Sequence, residues 1–332
     1  MANHEPGNRT PGDRSTEPRT GARSRRLSRT ALLAGAVLVV SACSSGAQHS
    51  TAGGSGNDAI GTVVTPSPTP TPYRESLTSY VGPVNDALAK LPQAGSLADL
   101  KTALGDVQQA ASAGSTGLQG LTPPSGAGDG NRQLYVALDT LAGNFSTVAT
   151  DIDSEKMCAT SSALAEAGQA QGLKDVQQAL TALSTAGFST TFSVPQTGQL
   201  QHRALDNGAK VREGQSDGNG ELTVDNGGGS VDAVLTLSQN GQAAYSFYVV
   251  KGQTAKISGI RDGKYDVFFA GGFDWDGGTK KFTQSCAFTK FDDGLDFTTT
   301  STTYSTWTLT LKPTIGGNAS TSTVPPDQFP VP

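Results

Sequence analysis

A histidine beside a nucleophile or a metal is the commonest mark of catalysis, and this chain of 332 residues has three: His4, His49 and His202. None falls inside a stretch patterned to fold, which removes the usual Ser-His-acid and Cys-His arrangements and most zinc sites. Gly214-Gln215-Ser216-Asp217-Gly218 fits the spacing G-x-S-x-G. A nucleophile elbow, however, needs a strand before it, a helix after it and a later histidine. Turns and strands follow here, and no histidine comes after Ser216, so the match reads as a loop.

Carboxylates are the next source of chemistry. Asp151, Asp153 and Glu155 crowd a helix end, while Asp274 with Asp276 and Asp292 with Asp293 flank strand patterns. Glycoside hydrolysis needs two carboxyl groups held at a set distance across a cleft, and nothing in the pattern builds that cleft. Asp217, Asn219 and Glu221 alternate as calcium ligands do, but Leu222 stands where an EF-hand loop needs glycine. No metal and no cofactor is expected. Trp275 lies between Asp274 and Asp276 in the glycine-rich run Gly271 to Gly278. Read as a loop, that run offers an exposed indole beside carboxylates, suited to stacking on a sugar or anchoring a partner. Alternatively, Trp275 folds back over the end of the strand region. Cys158 and Cys286 are either joined by a disulfide, clamping two regions together, or are two free, half-buried thiols.

These groups are positioned by two kinds of element. From Tyr73 to about Ala186 the apolar spacing is helical: Leu77, Tyr80, Val81, Val84 and Leu88, with Pro83 as a kink or restart, form a first helix. Ser96 and Asp99 open a second like a capping box. Leu134, Leu138, Leu141, Phe145, Val148 and Ile152 make the seam of a third, and Leu173, Val176, Leu180 and Leu183 that of a fourth beginning near Ser162. Four such helices predict an antiparallel four-helix bundle. Asp-Val-Gln-Gln-Ala occurs at 106–110 and again at 175–179, by duplication of a helix pair or by chance.

After Phe188 the period changes to two. Strands are expected at Glu221–Asp225, Ala233–Ser238, Ala244–Val250, Thr254–Ser258, Tyr265–Ala270, Thr283–Lys290, Asp296–Thr300 and Tyr304–Leu311, with turns at Asn226-Gly227, Asn240-Gly241 and Asp262-Gly263. That spacing predicts an antiparallel β-sandwich. The expected class is therefore α+β and multidomain. Its divisions are a signal peptide (1–42), a Ser/Gly/Thr/Pro-rich linker (43–72), a helical bundle (73–188), an inter-domain linker (189–219), a β-sandwich (220–312) and a disordered tail (313–332).

The start of the chain carries its own signal. Arg25, Arg26 and Arg29 precede ten apolar-patterned residues, Ala31 to Val40, about half of what a spanning helix needs. A small-residue ending follows, the pattern of a secretory signal peptide. Val40-Ser41-Ala42-Cys43 resembles a bacterial lipobox. That resemblance implies cleavage after Ala42 and fatty acylation of Cys43, placing the chain on the outer face of the cell membrane. The general secretory route fits better than the twin-arginine route, because Ser28 and Arg29 stand where the latter pattern has hydrophobics. Ser44 to Pro72 lacks the large apolar side chains needed to fold. Its 29 residues would reach roughly 90 Å if extended, or about 30 Å as a coil. Met1 to Ala42 holds seven of the 24 basic and three of the 29 acidic residues, leaving a net charge of −9. Without a Lys/Arg cluster, nucleic acid is not an expected partner.

A second resemblance covers residues 219–311. Gly220-Glu221-Leu222-Thr223-Val224, Tyr248-Val249-Val250-Lys251-Gly252, Ile257-Ser258-Gly259-Ile260, Gly263-Lys264-Tyr265-Asp266-Val267 and Asp274-Trp275-Asp276 are similar to a β-domain of secreted and membrane proteins of high-GC Gram-positive bacteria. The middle part is also similar to transthyretin-like modules, including the carboxypeptidase regulatory type. The resemblance implies a non-catalytic accessory sandwich and names no ligand. The combined expectation is a non-enzymatic, lipid-anchored envelope protein that binds a wall polymer or a protein partner. A small-ligand-binding lipoprotein for uptake or sensing is the alternative, and an envelope hydrolase comes third.

Overall fold

A computed structural model describes residues 72–312 and 319–332. Cys43, the signal peptide and all but the last residue of the Pro-rich spacer lie outside the described residues.

The helical region contains α1 (Tyr73–Leu88), α2 (Leu97–Gln119), α3 (Gly128–Asp153), α4 (Thr160–Gly168) and α5 (Gln171–Thr185). α1 runs on through Pro83. At α2 the Ser96 hydroxyl accepts from the Asp99 N–H at 3.1 Å, satisfying one of the free donors of the first turn. The seam of α3 is buried along its length, from Leu134 to Val148. α1 packs on α2, α2 on α3 and α3 on α5, with α4 against α3 and α2. The expected fourth helix is thus two, broken at Gln169 and Ala170. α5 lacks a side-chain cap of its own, and Asn144 of α3 supplies one by accepting from the Gly172 N–H at 2.9 Å. The two helices approach closely there: a Cβ on Gly172 would stand 2.5 Å from the Leu141 backbone.

Residues 189–219, expected as a linker, are packed along much of their length. Phe188, Phe192 and Val194 lie against the helical core. The Asn85 amide donates to the Thr191 carbonyl at 2.7 Å and accepts from the Ser193 N–H at 2.9 Å. Further on, Leu205, Ala209 and Val211 pack against the strands. Apolar side chains at these positions bury surface, which a Gly/Ser linker has no means to do.

The strand region comprises β1 (Lys210–Arg212), β2 (Gly220–Asp225), β3 (Asp232–Gln239), β4 (Gln242–Val249), β5 (Thr254–Ile260), β6 (Gly263–Asp276), β7 (Lys281–Phe291), β8 (Leu295–Phe297), β9 (Thr306–Thr310) and β10 (Thr321–Thr323). The larger sheet has the order β1-β4-β3-β6-β7-β10, with β8 paired to the start of β6; the smaller has the order β5-β2-β9. All pairs are antiparallel except β2 with β9. Leu222, Val224, Ile260 and Leu309 of the smaller sheet share a core with Leu235, Leu237, Phe247 and Val267 of the larger. The alternate residues Val234, Tyr248 and Phe268 enter a second core on the other face of the larger sheet. Both faces being covered, β3 is buried almost throughout and shows little polar alternation.

Each of the eight expected strands has a counterpart. β1 and β10 are additional to these, and β6 runs six residues past Ala270. The end of the chain differs from the expected disordered tail. β10 pairs with the outer edge of β7, and Phe329 is buried against Phe268 and Phe288 with ring centroids at 5.7 and 5.3 Å. An unpaired strand edge and one large aromatic side chain hold a segment whose composition alone gave no reason to order.

Candidate functional site

The β6–β7 hairpin carries Asp274, Trp275 and Asp276. Phe268 and Ala270 face the second core, and simple alternation would turn Trp275 to the opposite side. The pairing register shifts between Gly271 and Phe273. The extra residue there lies on β7, which advances three residues while β6 advances two; on β6 itself the alternation is broken at Asp274, whose φ is positive. Trp275 therefore enters the same core, where it is 3% exposed. Its indole meets the edges of Phe282 and Tyr248 at centroid distances of 5.1 and 6.1 Å. The exposed-indole reading gives way to the buried one, because the glycine-rich run is the end of a strand and not a loop.

Asp274 is buried with a positive φ of 54°. Its carboxylate accepts from the Arg203 N–H at 2.9 Å, Nε at 2.8 Å and Nη2 at 2.7 Å, and from the Thr283 hydroxyl at 2.6 Å. The Arg203 guanidinium, against the opposing effect of burial, holds the Asp274 carboxyl down at about 2. The Trp275 N–H returns a bond to the Arg203 carbonyl at 2.8 Å. Asp276 sits 3.6 Å from Arg203 Nη1, and its carboxyl is lowered chiefly by the Gly278 N–H. With four donors on it, Asp274 has no lone pair directed at a substrate. Its work is to fasten the segment after the helices to the hairpin.

Thr283 carries the joint further. Its carbonyl accepts from the Cys158 N–H at 2.9 Å and the Ser162 hydroxyl at 2.7 Å. On the same strand Ser285 and Cys286 donate to the carbonyls of Lys156 and Glu155, both at 2.9 Å. The α3–α4 connection thus docks on β7 through an isolated antiparallel bridge between Met157 and Gln284, and a Cys158–Cys286 disulfide closes the arrangement across 128 residues with Cα atoms 6.2 Å apart. Sequence reading picked out both cysteines and Asp274 but did not bring them together. Arg203, Thr283 and Ser162 carried no signal, since their importance lies wholly in contacts distant in sequence.

Four of the other acidic candidates are committed to cations or hydroxyls. Asp151 pairs with Lys156, Asp153 with Lys101 and Glu221 with Lys256, while Asp292 accepts from Ser322 at 2.6 Å. Ser216 is exposed on the segment between β1 and β2, and its neighbour Asp217 is bound by Arg261.

Arg261 in turn lines one wall of a polar cleft of about 570 Å³, which sequence reading missed. Tyr245 and Tyr265, facing inward from the larger sheet, close the end of the shared core. The Tyr245 hydroxyl donates to the Gln215 carbonyl at 2.6 Å and accepts from the Arg261 N–H at 3.1 Å. The Tyr265 hydroxyl donates to the Arg261 carbonyl at 3.1 Å. Burial, reinforced by Tyr245, pushes the Tyr265 hydroxyl up to about 12, so it keeps its proton. Gly214 lets this wall lie directly on Tyr245, since a Cβ there would stand 2.3 Å from the ring. Arg212 and Gln239 complete the rim. The sequence signal available was two tyrosines at inward strand positions flanking Arg261, but only the fold shows that the 212–217 segment returns to them. Compared with family models, curated proteins and solved structures, the chain gives no match.

Proposed function

We propose that this chain is a non-enzymatic, lipid-anchored protein of the bacterial cell envelope, displaying a rigid two-part body for binding a wall polymer or a protein partner. In this reading Val40-Ser41-Ala42-Cys43 is a lipobox, Cys43 is acylated, and Ser44 to Pro72 is the spacer that lifts the body from the membrane. The helical region is an antiparallel four-helix bundle with its last member broken. The two sheets form a β-sandwich of the transthyretin-like kind.

The observation that carries the reading is the Cys158–Cys286 disulfide linking the two regions. Structural disulfides persist in oxidising, extracytoplasmic compartments and are rare in reducing cytoplasm. Alongside it, Asp274, the residue most suggestive of acid–base chemistry, is saturated by Arg203 and Thr283. The bonds gathered at Thr283 make the two regions one body, which is what display at the end of a long tether requires.

The test is fatty-acid labelling in cells. The wild type takes up labelled acyl chain and stays with the membrane, whereas Cys43→Ser loses the label and appears in the medium. Unchanged membrane retention of Cys43→Ser overturns the anchor.

A further inference from the structure

We propose that the cleft bounded by Arg212, Gln239, Tyr245, Arg261 and Tyr265 binds a neutral saccharide chain. The inference rests on the wall-polymer reading above and names both the site and the class of polymer.

Position comes first. The cleft lies at the mouth of the core shared by the two sheets, where inward-facing positions run out of apolar residues and tyrosine hydroxyls take over. Its volume, about 570 Å³, falls in the range of roughly 300–1,000 Å³ typical of small-ligand clefts.

Chemistry narrows the ligand. The lining holds two guanidinium groups, two carboxylates, two side-chain amides and two phenol hydroxyls. Guanidinium and side-chain amide groups are planar and can make paired hydrogen bonds, which match the adjacent hydroxyls of a sugar. Charge then discriminates among polymers. Arg212 and Arg261 balance Glu213 and Asp262. Arg261 is also bound to Asp217, and Glu213 to Lys210. A rim with no net charge gives no electrostatic gain to a phosphate polymer or to nucleic acid. Apolar peptide side chains would find little lining to bury against.

The wall is also built before any ligand arrives. The bonds from Tyr245, Tyr265 and Arg261 hold residues 215–217 in place, so little ordering is left to be done on binding. In contrast, Arg212 and Gln239 are exposed, and their side chains have no hydrogen-bond partner among the described residues. They are the groups available to a ligand.

The experiment titrates the purified full chain calorimetrically with chitotetraose, mannotetraose and maltotetraose, and with polyglycerol phosphate as an anionic competitor. At least one neutral tetrasaccharide binds. Arg212→Ala and Gln239→Ala each weaken that binding by about tenfold, the effect of losing one or two hydrogen bonds to the ligand, with unfolding midpoints unchanged. Absence of heat with all three sugars overturns the proposal, as does equal binding by both variants or displacement of the sugar by polyglycerol phosphate. Sedimentation with isolated cell-wall sacculi separates this from the broader reading. Retention of the wild type and both variants alike overturns the cleft while leaving wall display standing. Failure of the wild type to sediment with any sacculus overturns wall binding itself.

Discussion

Replacing Asp274 with Asn removes the charge at the centre of the joint while keeping the side chain's shape. The structure sets the size of the effect. Arg203 and Thr283 hold the carboxyl at about 2, against an ordinary 3.8. That gap corresponds to about 2 kcal/mol of stability at neutral pH, because the carboxylate itself is almost fully buried. Loss of a buried pair can cost more, roughly 3–5 kcal/mol, when the remaining charge is stranded. Here the Arg203 side chain is 44% exposed and can turn to water, so the expected cost of Asp274→Asn stays near 2 kcal/mol.

The same linkage dictates the pH dependence. The folded pKa is the lower one, so the contribution is complete above about pH 5. As pH falls through 3.8 the unfolded chain takes up a proton that the folded chain refuses until about pH 2. Near pH 2.5 only about 1 kcal/mol of the contribution remains. Urea unfolding of the disulfide-intact chain, followed by tryptophan fluorescence, measures both proteins between pH 7 and pH 2.5. The stability gap between wild type and Asp274→Asn should close toward acid, since the remaining acidic groups are common to both and cancel. An equal gap at pH 6 and pH 2.5 would refute the assignment of the effect to the carboxylate charge.

Three further outcomes follow from the packing. Cys158→Ser with Cys286→Ser should lower stability by about 2–5 kcal/mol, the range for opening a long cross-linked loop of 128 residues, and the bond itself should appear as a mobility shift between reducing and non-reducing gels. Gly172→Ala should destabilise by about 2 kcal/mol or more, because its Cβ meets the Leu141 backbone; Gly105→Ala, at an open helical position, should instead stabilise by about 0.5–1 kcal/mol. Phe329→Ala should release the end of the chain, erasing hydrogen-exchange protection at Asp292 and Val324, whose N–H groups bond to carbonyls at Ser320 and Phe288, while protection in β3 stays unchanged.

Much of the element pattern was legible because single-face burial leaves a period in the sequence. Leu134, Leu138, Leu141 and Phe145 declare α3, and inward Tyr265 and Val267 declare β6. The period fails where burial is two-sided or absent. β3 reads less clearly than β9 although it is far more buried, because both of its faces are covered. β1 and β10 are three residues each and exist only because β4 and β7 offer edges to pair with.

The candidate site divides in the same way. Residue type alone marks Cys158, Cys286, Asp274 and Trp275 as unusual, and net charge alone argues against a polyanionic partner. Their roles were decided by contacts between positions tens of residues apart. A break in alternation at Asp274, where φ is positive, turns Trp275 into the second core, where sequence alternation would place it on the opposite face of the sheet. Arg203 reaches Asp274 across 71 residues, and Arg261 reaches Asp217 across 44. Local sequence determines which segments are helical or extended, because backbone geometry and solvent act on each segment directly. Which side chains meet is settled only when those segments pack, since no residue carries in its own neighbourhood the identity of a partner brought to it by the fold.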